Sequence, residues 1–292
     1  PSHAINGRNA QQYFQILMSR LGLNLTNCLT LVILKNIYKI ISSNDDILEV
    51  FAQDRFFKSL PFNRKIYNRY ILDILYFVIE KVPESIIDGF DRQMKELIPY
   101  EGKKTLHLLS MYVDQFNTLN SSQTKILELL VNDKCAQRYS LFDLASNYVL
   151  LLSLVVERSE TFRRNNIEKA WKIVNRILVN NDDINIIGNC YKALTRIECY
   201  YKTDDVDLDL VYSHLQDPQL EIVVLSFLFF VPISNQPIIE NKDFIVKLLK
   251  LSEKYGFAIL TLMDICRKSN TAANYLSKNK SWLTVGHQHM SD

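Results

Sequence analysis

The sequence predicts an all-α fold built from helical hairpins, and three observations predict it. Apolar residues recur at helical spacing through most of the chain. Only seven glycines and seven prolines punctuate 292 residues, too few turn formers for an all-β protein and common in packed helices. One unit, an apolar helix followed by a short polar break and a second apolar helix, also returns at intervals of about 34–45 residues.

The clearest unit is IEKAWKIVNRILVNNDDINIIGNCYKALTRIECYY at 167–201. Ile167, Ala170, Trp171, Val174, Ile177 and Leu178 fall on one face of a first helix, and Ile187, Cys190, Tyr191, Leu194 and Ile197 on one face of a second. Between them stand Asn180, Asn181, Asp182 and Asp183. Such side chains compete with helical backbone bonds, so they end one helix and cap the next, which makes an antiparallel hairpin.

In chain order, similar pairs are expected at 10–41, 56–82, 94–116 and 125–157, then at 167–201, 211–231 and 245–267. One central leucine from each second helix gives Leu34, Leu75, Leu109, Leu151, Leu194, Leu228 and Leu262, spaced by 41, 34, 42, 43, 34 and 34 residues. A single-core bundle carries no such beat. The longer intervals leave room for a third short helix, for instance DDILEVFAQ at 45–53. The prolines agree with the pairs: Pro83 and Pro218 stand where helices should begin, and Pro61, Pro99 and Pro232 where periodic runs stop.

Composition narrows the function classes. Hydrophobic content of 48% and charged content of 23% describe a folded, soluble chain. Thirty-four basic against 32 acidic residues give a net charge of +2, too balanced for an obligate binder of nucleic acid or anionic membrane. Cys28, Cys135, Cys190, Cys199 and Cys266 are odd in number and lack any CxxC spacing. They are expected to be small apolar core residues in a reducing compartment, cytoplasmic or nuclear. No charged-then-apolar leader is visible. The apolar runs at 148–156 and 222–233 are shorter than the ~18–20 residues needed to cross a bilayer and read as fully buried helices. The sequons at Asn24, Asn120 and Asn279 lack a secretory context.

The pair ILVNNDDINIIGNCYKALTRI resembles the second and third helices of an armadillo repeat, and HLQDPQLEIVVLSFLFF is similar in the same way. The resemblance covers most of 10–270 and is strongest at 167–231. The glycine usual between an armadillo repeat's first and second helices is mostly missing, which points to two-helix, HEAT-like units for several repeats. The resemblance implies a right-handed α-solenoid of about seven armadillo/HEAT-like repeats. A short tail at 1–9 and a C-terminal helix and tail at 271–292 would flank it. Importin-like members carry a ladder of Trp-x-x-x-Asn, which occurs here once, as Trp171 and Asn175. Trp171 is therefore expected in the core.

On a solenoid, equivalent helices line a long surface that binds extended peptides or partner proteins. Asn185, Asn189, Lys192 and Arg196 recur at intervals of 4, 3 and 4 on the face opposite Cys190, Tyr191 and Leu194. They are the groove candidates, together with Asn68 and Asn147 on the second helices of other repeats. Asparagine amides would hydrogen-bond a peptide backbone, and the cations would pair with acidic or phosphorylated side chains. The bland alternative is a solvated helix face. The segment ERSETFRRNN at 157–166 is expected to be a solvated connector, or else a docking or phosphorylation loop.

No catalytic, cofactor or metal signature accompanies this face. DDVDLD at 204–209 spaces carboxylates like the start of an EF-hand, but Leu210 stands where glycine is required and Gln216 where the bidentate glutamate is required. An acidic helix start is the better reading. His107 and His214 lack a second ligand at metal spacing, and His287 and His289 lie in the tail. Ser-x-x-Lys at 122–125 lacks its partner motifs, and no Walker loop, G-x-G-x-x-G, G-x-S-x-G or H-E-x-x-H occurs. The expected function is a non-catalytic scaffold binding an extended peptide or partner protein. The alternatives are a helical-repeat regulatory region of a larger protein, such as a ubiquitin hydrolase, a kinase or a formin-like regulator, and a HEAT-like nucleic-acid protein, which the charge balance disfavours.

Overall fold

The computed structural model describes residues 7–21, 23, 25–53, 60–61, 65–82, 95, 98, 102–203, 205–231 and 237–278. Among these the regular elements are all helical. The chain divides into two compact units, Pro1–Phe162 and Arg163–Asp292.

The first unit contains α1 (Gly7–Leu21), α2 (Asn27–Ile41), α3 (Asp45–Gln53), α4 (Asn68–Lys81), α5 (Lys103–Asp114), α6 (Ser121–Leu127), α7 (Asp133–Tyr139) and α8 (Phe142–Arg158). Helix α1 already includes residues 7–9, and α3 is the short helix expected at 45–53. The helices α2, α4, α5 and α8 pack each on the next. Their leucines Leu34, Leu75, Leu109 and Leu151 are buried, at 1% exposure or less. Around them α1 and α3 close on α2, with the Phe14 and Phe51 rings 5.7 Å apart.

Helix α9 (Glu160–Val179) begins in the first unit and continues into the second. The second unit adds α10 (Ile184–Glu198), α11 (Leu208–Leu215), α12 (Glu221–Phe230), α13 (Lys242–Ser252), α14 (Gly256–Lys268) and α15 (Asn270–Ser277). Here α10 packs on α12 and α12 on α14, while α11 lies against α12 and α13 against α14. Leu194, Leu228 and Leu262 are all buried. Short polar side chains start the helices by accepting from otherwise orphaned first-turn N–H groups: Asn120, Asn132, Asp183, Asp207, Asn241 and Ser269 each do so. Asp183 is one of the four breakers singled out in the sequence, and Asp207 makes DDVDLD an acidic helix start. Asn120, in a sequon, is the cap of a capping box with Gln123.

Three expectations are corrected. The segment 157–166 is not a connector, because helix occupies all of it except Ser159. Ser159 is fully buried, its hydroxyl bonded to Thr124 Oγ1 at 2.6 Å and accepting from the Phe162 N–H. Glu157, Glu160, Thr161, Arg164 and Asn165 form the wet side of a helix junction, while Phe162 at 0% exposure and Asn166 face its dry side. Of the cysteines only Cys190 is buried, and Cys28 and Cys199 are exposed. The apolar run of α12 is not fully buried either, since Ile222 and Phe229 are exposed. Among the described residues no helix is long and apolar enough to cross a membrane.

Candidate functional site

Helix α10 starts where Asp183 Oδ1 accepts from the N–H groups of Asn185 and Ile186, at 2.8 and 3.1 Å. Its face toward the interior buries Cys190, Tyr191, Ala193, Leu194 and Ile197. The opposite stripe is open: Asn185, Lys192 and Arg196 are exposed and Asn189 is half-buried. Lys192 Nζ donates to Asn189 Oδ1 at 3.5 Å. The four residues therefore lie on one accessible face, as their spacing predicts.

Helices α12 and α14 repeat this pattern thirty-four and sixty-eight residues later. Cys190, Val224 and Ala258 are buried, and so are Leu194, Leu228 and Leu262. The sets Ala193, Phe227, Thr261 and Ile197, Val231, Ile265 are buried as well. The open positions keep the same register. Asn189 corresponds to Val223 and Phe257, Lys192 to Ser226 and Leu260, and Arg196 to Phe230 and Asp264, and each of these is exposed or half-buried. A polar, cationic stripe on α10 thus becomes mostly apolar along α12 and α14, with Ser226 and Asp264 as its polar positions.

That apolar end forms a groove. Phe229 is 44% exposed, Phe257 41% and Leu260 46%. The Phe229 ring lies 5.8 Å from that of Phe257 and 5.1 Å from that of Phe230. A cavity of about 260 Å³ opens between α12 and α14, lined by the apolar Leu228, Phe229, Leu260 and Met263 and by the polar Thr261, Asp264 and Arg267. Side chains of this size gain from leaving water, and a contiguous exposed apolar patch is a usual mark of a contact surface.

The helices behind this face are tied by buried polar contacts. Trp171 Nε1 donates to Glu198 Oε1 at 2.9 Å, with Trp171 2% and Glu198 0% exposed. Glu198 Oε2 is buried without a hydrogen-bond partner. Burial pushes this carboxyl up to about 7, against the opposing pull of the Trp171 bond and the Lys202 ammonium. Tyr191 Oη and His214 Nδ1 are 2.8 Å apart, and burial holds the imidazole below its ordinary range despite nearby Asp217. Burial also pushes the Cys190 thiol up to about 12. Glu221 accepts from Lys247 at 3.0 Å and from Lys254 at 3.5 Å, and so joins α12 to α13 and the turn after it.

The remaining candidates lie elsewhere. Asn68 begins α4, and its side chain is outside the described residues; Asn147 is half-buried on α8. Both belong to the first unit, where α5 stands between their helices. His107 is exposed beside the Tyr76 ring, at 5.3 Å. His287 and His289 are outside the described residues. Among the described residues no three His, Cys, Asp or Glu side chains are placed to hold a metal ion. Sequence reasoning missed Phe229, Phe257 and Leu260. Counting on from Asn189 and Lys192 by the leucine interval would have found the last two. No family model, curated protein or solved structure matches the chain.

Proposed function

We propose that the chain is an armadillo/HEAT-like α-solenoid acting as a non-catalytic scaffold, and that the open face of α10, α12 and α14 binds an extended segment of a partner protein. The observation that carries this reading is the shared register of those three helices. The same four positions are buried in each, and the open positions fall in series. Neighbouring helices of this kind offer a peptide a row of equivalent contacts. On α10 the Asn185 and Asn189 amides would bond the peptide backbone in both directions, and Lys192 and Arg196 would pair with acidic or phosphorylated side chains.

Binding of the purified chain to arrayed acidic, phosphorylated, neutral and basic peptides tests the reading. Acidic or phosphorylated peptides should be retained, and Lys192→Glu with Arg196→Glu should release them by turning attraction into repulsion. A folded double variant that retains the same peptides with the same affinity contradicts it.

A further inference from the structure

We infer that the groove between α12 and α14 is an anchor site for one large apolar side chain of an acidic partner peptide. The site continues the cationic stripe of α10, so this inference rests on the peptide-binding reading above and specifies the partner's chemistry. The charge of the face selects that chemistry. Across α10, α12 and α14 the carboxylates are Glu198, Glu221 and Asp264. Glu198 and Glu221 are buried, and Asp264 is ion-paired with Lys268 at 2.7 Å. The cations Lys192, Arg196 and Arg267 are exposed. Exposed cations therefore stand on α10 and on α14. Beside them lie Phe229, Phe257 and Leu260; α12 carries no exposed charge of its own, and a further cation, Lys202, lies over the Phe230 ring at 5.4 Å.

A ligand complementary to this arrangement carries acidic residues beside a Leu, Phe or Trp. The apolar side chain enters between Phe229 and Leu260, where the cavity of about 260 Å³ accommodates one such group. Desolvated aromatic and aliphatic anchors of this kind dominate many interfaces, with charged rims setting register and rate. A nucleic acid fits less well. Lys192, Arg196, Arg267 and the neighbouring Lys202 would release few counterions, and the net charge of +2 supplies no continuous basic track.

Selection of a random dodecapeptide display library on the purified chain tests this. The enriched peptides should combine Asp or Glu with one Leu, Phe or Trp. With a labelled synthetic lead, replacing its large apolar residue by Ala should weaken binding by about tenfold or more, as truncation of an interface anchor does. Leu260→Ser and Phe257→Ser, both at partly exposed positions, should do the same without lowering the melting temperature. Peptides released by Lys192→Glu with Arg196→Glu but indifferent to both groove variants would overturn the anchor and leave the cationic stripe standing. Peptides indifferent to all these changes would overturn both readings. A labelled oligo-dT that binds and is displaced by the groove variants would overturn the assignment to a peptide. Sedimentation equilibrium showing a dimer that the groove variants dissociate would instead assign the groove to a second copy of the chain.

Discussion

The helices of the first unit marked by Leu34, Leu75, Leu109 and Leu151 are spaced by 41, 34 and 42 residues, whereas those of the second unit marked by Leu194, Leu228 and Leu262 keep 34 each time. The difference lies in what is inserted. In the first unit α3 stands between α2 and α4. Helix α6, the tight helical turn Glu128–Val131 and α7 stand between α5 and α8. Irregular segments leave backbone carbonyls unpaired, and buried carbonyls must find donors. Side chains supply them: Arg158 donates to the carbonyls of Val113, Asp114 and Phe116, at 3.3, 3.0 and 2.6 Å. Tyr139 donates to Ile98 O at 2.6 Å and Tyr148 to Leu130 O at 2.5 Å. In the second unit constant spacing keeps buried positions in register, so open positions are in register too. Regular spacing there has produced a surface, and irregular spacing in the first unit has required clamps.

The largest effect expected from breaking this contrast is in the shared leucine layer. Leu109→Ala and Leu194→Ala, one in each unit and both at 0% exposure, should each lower unfolding free energy by about 2–5 kcal/mol. An unchanged urea midpoint for Leu194→Ala would mean that the buried face of α10 has been assigned backwards. Arg158→Ala should cost about 2 kcal/mol, because charged donors are removed from partly buried carbonyls. Arg158→Lys should recover only part of it, since lysine lacks the planar fork whose second nitrogen reaches Asp114 Oδ1 at 3.4 Å. A silent Arg158→Ala would show that packing alone holds the inserted segments.

The next effect depends on pH and belongs to the second unit. Glu198 ordinarily titrates near 4.5 and is raised to about 7 in the fold. Between those values the native state holds the extra proton, so stability falls as pH rises through this window and the loss is complete above about 7. The fall amounts to about 3 kcal/mol. Glu198→Gln, which keeps an oxygen for Trp171 and cannot ionise, should remove it. Unfolding free energies of the two proteins at pH 5 and pH 7.5 should therefore diverge, with the variant ahead at the higher pH. A constant difference would mean that Glu198 is ionised throughout. The smallest effect is expected on the open stripe, where Lys192→Glu with Arg196→Glu should change stability by no more than about 0.5 kcal/mol.

Much of this was legible because periodicity is a local signal. The buried leucines, the breakers Asn180 to Asp183, the short helix 45–53 and the stripe at 185, 189, 192 and 196 all follow from spacing within one helix or one hairpin. What was missed depends on partners distant in the chain. Nothing local to Glu198 marks it for burial; its partner Trp171 stands twenty-seven residues earlier. Ser159 reads as part of a polar linker until Thr124 meets it in the interior. Cys199 lies two residues beyond the buried Ile197 and is exposed, while Cys190 sits one turn before Leu194 and is buried. The apolar run of α12 suggested burial on every side, and only the neighbouring α14 shows that Phe229 faces an open groove.

Hydroxyl-radical footprinting of the chain with and without a selected acidic peptide tests the central claim most directly, because it reads both units in one experiment. The account predicts that peptide lowers labelling of Phe229, Phe257 and Leu260 together. Tyr13, Leu29 and Tyr38, which are comparably exposed in the first unit, should be labelled as before. Protection confined to those first-unit residues, with Phe229, Phe257 and Leu260 unchanged, would contradict the claim that the register of α10, α12 and α14 builds the binding surface.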